Sequence, residues 1–117
     1  QVVHDQYGSP TWSYRLALQI ERAIESEIRG TYHASGEGYC TWYELAVRFL
    51  TLMGIKGDIH PCTTKDYPMP AARPANGILE NARLKAEGLT VMEPWEKDLE
   101  RFVARFREGL IQEAKGD

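Results

Sequence analysis

The sequence predicts an α/β fold with a few short strands and three main helices, built as the second half of a doubly wound protein. Three observations lead there. Short apolar runs alternate with amphipathic helical stretches, in the order strand, helix, strand, helix, strand, extended segment, strand, helix. Only three or four runs read as strands, fewer than a complete doubly wound sheet uses. The chain has 117 residues, 43% hydrophobic and 26% charged, which fits one small domain able to bury about two-thirds of its unfolded surface.

The elements follow from local pattern. Gln1 leads straight into Val2-Val3-His4-Asp5, a strand over residues 2–5 with no lead-in, as expected of a segment from a longer polypeptide. Gly8 and Pro10 then mark a turn. Residues 13–28 read as a helix with Leu16, Ala17, Ile20, Ala23, Ile24 and Ile28 on its buried face, stopping before Gly30. Thr31–Ser35, bounded by glycines, reads as a strand. Thr41-Trp42-Tyr43-Glu44 is a capping box, and the helix it opens buries Trp42, Leu45, Ala46, Phe49, Leu50 and Met53 before ending at Gly54. Residues 58–62 form a further strand. Pro68, Pro70 and Pro74 impose an extended path that no helix can follow. Gly77-Ile78-Leu79 reads as a strand and Asn81–Glu87 as a short helix closed by Gly88. Pro94 opens the last helix, with Trp95, Leu99, Phe102, Val103, Phe106 and Leu110 inward and Lys97, Asp98, Glu100, Arg101, Arg105 and Arg107 on the solvated face.

Composition excludes several classes of function. With 14 basic against 17 acidic residues the net charge is −3, which gives no basic field for a nucleic-acid backbone. No apolar run approaches the ~20 residues of a membrane helix, and no basic-then-apolar leader is present. Two cysteines, Cys40 and Cys62, are too few for a disulfide framework, so a cytoplasmic protein with reduced thiols is expected. His60 and Cys62 alternate as on one strand face and His33 lies upstream, but no tight ligand pair supports a zinc site. Gly36-Glu37-Gly38 follows a predicted strand and opens a helix, the setting of a dinucleotide fingerprint. Its third position is Thr41, however, and the next strand lacks an acidic end, so a strand-to-helix turn is the better reading. No phosphate loop and no nucleophile elbow occur.

Longer stretches carry a resemblance. Val2-Val3-His4-Asp5-Gln6-Tyr7-Gly8-Ser9-Pro10-Thr11 with Leu16-Ala17 resembles the VVxDQxGSPTxxxDLA segment of the dTDP-4-dehydrorhamnose reductase family, extended short-chain dehydrogenase/reductases with a Rossmann-like fold. Gly30–Gly36 and Cys40–Ala46 are similar to that family's GiyHxsG and cSWyefA stretches, Ala72–Asn81 to its aRPxxSxLdn stretch, and Pro94-Trp95 to its W..aL segment. The resemblance runs in register through nearly the whole chain. It implies the C-terminal, sugar-nucleotide-binding portion, over residues 1–117, of an enzyme whose NADPH-binding half lies outside the chain. The glycine motif and the Tyr-x-x-x-Lys pair of that half are absent, since none of the six tyrosines has Lys four positions later. No catalytic residue is therefore expected here, and the chain alone is expected to be inactive. NADPH is the implied cofactor of the whole enzyme, with magnesium left open.

The implied ligand, a dTDP-sugar, needs donors for a diphosphate and flat walls for thymine. The candidate substrate-binding residues are Arg73, Gln6, Tyr7, Gly8 and Thr11. Arg73 is held extended before Pro74, and its planar guanidinium can fork onto phosphate oxygens, as the resemblance implies, or pair with a surface carboxylate. The Gln6 amide both donates and accepts, suiting a nucleotide or phosphate edge, or it stabilises the turn. Tyr7 and Trp12 either stack on thymine or pack in the core. Gly8 and Thr11, with Pro10, chiefly shape the loop, and Trp42 and Trp95 are assigned to packing. Two departures from the family pattern stand out. Arg15 replaces the Asp of DLA, unfavourable near a helix start, and Gly77 replaces a common Ser. A non-catalytic regulatory subunit of the same family, or a reductase or epimerase for another nucleotide sugar, are the alternative functions. Sheet edges and apolar helix faces left by half a fold are expected to drive self-association or a homo-oligomer.

Overall fold

The computed structural model describes residues 1–116. Four helices and four two-residue strands follow one another as β1 (Val2–Val3), β2 (Tyr7–Gly8), α1 (Ser13–Glu25), β3 (Cys40–Thr41), α2 (Trp42–Met53), β4 (Pro61–Cys62), α3 (Ala82–Ala86) and α4 (Trp95–Gly116). β1 pairs in parallel with β4, and β2 pairs antiparallel with β3. The extended proline-rich segment then joins the other edge of β2: the Tyr7 amide donates to the Ala75 carbonyl and the Gly77 amide to the Tyr7 carbonyl, each at 2.8 Å. Tyr7 is thus held between residue 41 on one side and residue 76 on the other.

The three main helices stand where the sequence places them. α2 starts on the expected capping box, with the Glu44 amide donating to Thr41 Oγ1 at 3.1 Å and the Thr41 amide to Glu44 Oε1 at 3.3 Å. It ends on Gly54 at φ 71°, a left-handed cap that glycine adopts without a Cβ penalty. α1 stops earlier than predicted. Ser26 Oγ turns back to the Arg22 carbonyl, Glu27 takes φ 52°, and the chain leaves the helix at Glu25, ahead of Gly30. Its buried face also differs from the predicted one. Gln19 is buried, whereas Ile20 and Ile24 are 52% and 72% exposed. Leu16, Leu18 and Ala23 are half-buried, and the fixed polar partners of Gln19 set which way the helix turns. Gln19 donates to the Leu89 carbonyl (3.0 Å) and accepts from the Val91 amide (2.7 Å), standing in for a neighbouring strand.

Two predicted strands are absent. Residues 31–35 pair with no strand, and at Ser35 a side chain takes the backbone hydrogen bonds a strand would have made. Asn81 accepts from the Ser35 amide (2.9 Å) and donates to the Ser35 carbonyl (2.8 Å) and to Glu37 Oε1 (2.7 Å). Gly77-Ile78-Leu79 leaves β2 after a single bridge, since the Ile78 amide turns back onto Asn76 Oδ1. Conversely, Tyr7–Gly8, expected as part of a turn, is a strand of the second sheet, with an isolated bridge to Asn76 on its other edge.

The core is small. Cys40, Met53, Cys62, Leu84, Met92, Trp95 and Val103 are its buried apolar residues, and Gln6, Gln19, Ser35, Thr41, Asn81 and Asp98 are buried with them. Asp98 was assigned to the solvated face of α4. It instead accepts from Arg15 Nε and Nη2 at 3.2–3.3 Å and from Arg101 Nη1 at 3.1 Å. Arg15, unfavourable by its place near a helix start, is therefore fixed by a buried carboxylate of α4, and it also reaches the Val91 carbonyl. Pairing with a buried acid outweighs the dipole term, which is only ~0.3–1 kcal/mol. Every buried side-chain nitrogen and oxygen among the described residues has a partner.

Asn81→Leu removes the hydrogen bonds of this amide and strands the Ser35 backbone, so it is expected to cost about 2–3 kcal/mol, read as a lower urea midpoint. Acid should act through Glu37 and Asp5. Burial raises the Glu37 pKa, but hydrogen bonds from Lys85 and Asn81 outweigh it and leave the carboxyl below its ordinary 4.5. Thr64 hydrogen bonds hold Asp5 below its ordinary 3.8. Both groups bind protons less readily folded than unfolded. Their stabilisation is complete above the ordinary carboxyl range and is lost as pH falls through the lowered folded values. Urea midpoints measured from pH 6 to 3 should fall, and Glu37→Gln should flatten that fall.

Candidate functional site

Three local devices bring the predicted residues together. The β2–β3 pairing places Gly8 against Cys40 and Tyr7 against Thr41. The capping box turns the chain sharply at Thr41 and leaves Trp42 as the first helical residue. The proline-rich segment, hydrogen-bonded to Tyr7, carries Arg73 and Pro74 alongside. Between them lies a cavity of about 310 Å³ lined by Gln6, Tyr7, Gly8, Trp42, Arg73 and Gly77, among others. Gln6, Trp42 and Arg73 also line a second cavity on the other side, toward Val2, Tyr67 and Met69.

The side chains differ in how far they are committed to the protein. Arg73 is exposed, and no ion pair engages it among the described residues. Tyr7 is 42% exposed and meets Tyr39 edge to face at 6.3 Å. Gln6 is buried, and its Nε2 donates to Thr64 Oγ1 at 3.2 Å. Thr11 lies apart from the other four. Its hydroxyl donates to the Ser9 carbonyl (2.9 Å) and accepts from the Gly36 amide (3.0 Å), so it fixes the loop. Trp12 also stands outside the cavity, packed on Tyr14 and Phe102 at 5.0 and 6.1 Å.

Trp42 corrects the sequence reading. The sequence pattern assigns it to packing, yet the residue is 57% exposed and forms part of the cavity wall. Its spacing from Leu45 and Phe49 fits a buried stripe, but a first-turn residue leans back over the chain that enters the helix. Here that chain is β3, on the cavity side. Trp95 is buried as expected. The signal for Trp42 lay in its position directly after the capping threonine.

Cys40 forms part of the cavity floor. Burial, with Glu44 and Glu96 nearby, pushes its thiol up to about 11. It packs as a small buried hydrophobe, and the raised value keeps it in the thiol form at neutral pH. Cys62 is also buried, and the two are not joined. The Gly36-Glu37-Gly38 run has a packing explanation. A Cβ at Gly36 would run into the Pro10 carbonyl, and Gly38 takes φ 84° beside the Trp95 ring. His60 pairs with Asp58 at 2.7 Å, and among the described residues no three His, Cys, Asp or Glu side chains converge to hold a metal ion. No described helix is long and apolar enough to cross a membrane.

The mixed α/β architecture, with four helices and a few short strands among the described residues, is that of a part of an extended short-chain dehydrogenase/reductase fold. The solved structures agree. A dTDP-4-dehydrorhamnose reductase from Clostridium acetobutylicum superposes with a TM-score of 0.87 at 35% identity, covering 91% of this chain and 38% of that one. The Bacillus anthracis dTDP-4-dehydrorhamnose reductase in complex with NADP gives 0.82 at 36% identity, covering 89% of this chain and 36% of that one. In sequence, the dTDP-4-dehydrorhamnose reductase of Streptomyces griseus is 35% identical over 100 residues, 80% of this chain and 33% of the relative. The family model described as RmlD substrate binding domain matches residues 1–108, and the chain belongs to that family. It spans about a third of the length of the curated relatives it matches.

The buried thiol gives a direct check. Cys40 should resist iodoacetamide at pH 7.5 in the folded protein and react only after denaturation, as followed by mass spectrometry.

Proposed function

We propose that the chain is the nucleotide-sugar-binding portion of an NADPH-dependent reductase that converts dTDP-4-dehydro-L-rhamnose to dTDP-L-rhamnose. The observation that carries this reading is the unpaired guanidinium of Arg73, held on an extended proline-flanked segment at a cavity that Gln6, Tyr7 and Trp42 share. A diphosphate supplies the oxygens such a fork takes in pairs. The rings of Tyr7 and Trp42 supply flat walls for a base. At about 310 Å³ the cavity sits at the low end of ligand sites, sized for part of a nucleotide sugar rather than all of it. The family and the names of its relatives support the dTDP-sugar as ligand.

The residues here do not fit the dinucleotide. The two glycines of the candidate fingerprint serve close packing and a positive φ, and no tyrosine has a lysine four positions on. Nor do the described residues supply a cage for magnesium. The proposed role is to bind and orient: Arg73 takes the diphosphate, the rings flank the base, and hydride transfer belongs to the rest of the reductase. The chain alone is proposed to oxidise no NADPH. Self-association belongs to the same reading, and its candidate surface is the exposed face of α1 around Ile20 and Ile24.

Arg73→Ala in the polypeptide that carries this segment should weaken dTDP binding by about 10- to 100-fold, with Arg73→Lys recovering only part. Calorimetric titration measures both, and an unchanged dissociation constant for Arg73→Ala would defeat the reading.

A further inference from the structure

Three side chains stand in line behind the cavity: Asp5, Thr64 and Gln6. Thr64 donates its backbone amide to Asp5 Oδ1 and Oδ2 at 2.9 and 3.1 Å, and its hydroxyl lies 2.6 Å from Asp5 Oδ1. On the other side the hydroxyl oxygen meets the Gln6 amide at 3.2 Å. An ionised carboxylate can only accept. The hydrogen bonds from Thr64 hold the Asp5 carboxyl below its ordinary value, so it is ionised at neutral pH. A threonine has one hydroxyl proton, and Asp5 takes it. Toward Gln6, Thr64 Oγ1 therefore has only a lone pair to offer, and the atom of Gln6 that meets it must be the NH₂ group. The polarity of this amide follows from proton bookkeeping along the line, independently of how its oxygen and nitrogen are told apart.

The oxygen is then left on the far side. Among the described residues Gln6 Oε1 accepts no hydrogen bond, while every buried side-chain polar atom there has a partner. Oε1 is accordingly the part of this buried residue that stays open to the cavities it lines. We propose that the Asp5–Thr64 pair locks Gln6 with its carbonyl oxygen toward the cavity, making it an acceptor that selects an N–H or O–H donor on the ligand rather than a phosphate oxygen. Asp5 and Thr64 are positioning residues, and Gln6 sets specificity. The inference rests on the nucleotide-sugar reading of the cavity and narrows it: Arg73 meets the phosphates, and Gln6 meets a donor. That donor is the imide N–H of the base or a hydroxyl of the hexose.

Four probes separate these possibilities in the polypeptide that carries this segment: pyrophosphate, dTDP, 3-methyl-dTDP and dTDP-glucose. Gln6→Met keeps the side-chain length and removes the acceptor. It should weaken the donor-bearing probe about tenfold and leave pyrophosphate unchanged. A loss seen with dTDP but not with 3-methyl-dTDP assigns the donor to the base. A loss confined to dTDP-glucose assigns it to the sugar. Asp5→Asn is the second variant. An amide at position 5 can donate to Thr64, freeing the threonine proton for Gln6 and reversing the Gln6 amide. The preference for the donor-bearing probe should then shrink, and the Gln6 side-chain amide resonances should move, which lost packing alone would not produce. Equal weakening of pyrophosphate and dTDP by Gln6→Met overturns the proposal, as does no weakening of any probe while Arg73→Ala still weakens pyrophosphate. If Arg73→Ala leaves every probe unaffected, the cavity reading itself falls, and this inference with it.

Discussion

Buried backbone without secondary structure must find hydrogen-bond partners, and in this chain side chains supply them. Four two-residue strands leave long irregular stretches inside the molecule. The Asn81 amide satisfies both backbone groups of Ser35, and the Gln19 amide does the same for segment 89–91. The capping box closes the start of α2, and Thr11 ties Gly36 to the turn after β2. Each contact joins residues that are distant in sequence or redirects the chain within one turn. Without them the loops around the cavity would have no fixed course, because the apolar core is too small to impose one.

The site inherits its geometry from the same device. β2 is only two residues long, yet it holds the proline-rich segment on one edge and β3 on the other. Arg73 is placed by two backbone hydrogen bonds to Tyr7 and by prolines that have few conformations to lose. Gln6 is placed by a hydroxyl that is itself held by a carboxylate. The groups facing the cavity are thus preorganised from behind, with the guanidinium left free in front. Such an arrangement lowers the ordering cost of binding.

Legibility in the sequence varied with how local the cause was. The α2 helix could be read from four residues, because a capping box and a left-handed glycine act within one turn. The three main helices and the α/β class followed from periodicity. Residues 31–35 have the right composition for a strand, but the backbone groups of Ser35 are taken by Asn81, 46 positions away. The buried side of α1 was misjudged for a similar reason: Gln19 and Arg15 look like surface residues until their partners on segment 89–91 and α4 are in view. In the site, Gln6, Tyr7, Gly8 and Arg73 were anticipated and do meet. Thr11 was anticipated and stands apart, and Trp42 went unrecognised because its spacing imitates a core stripe.

The Arg15–Asp98 pair bears on how this segment could be recombined with its kin. In the family pattern the residue in the place of Arg15 is an acid, and an acid there would face the buried Asp98 carboxylate, like charge against like. In this chain positions 15 and 98 are thus coupled by charge, on two helices, across 83 residues of sequence. A chimera that keeps α4 of this chain and takes α1 from a homologue with an acid at position 15 would set that acid against Asp98, however high the overall identity of the parents.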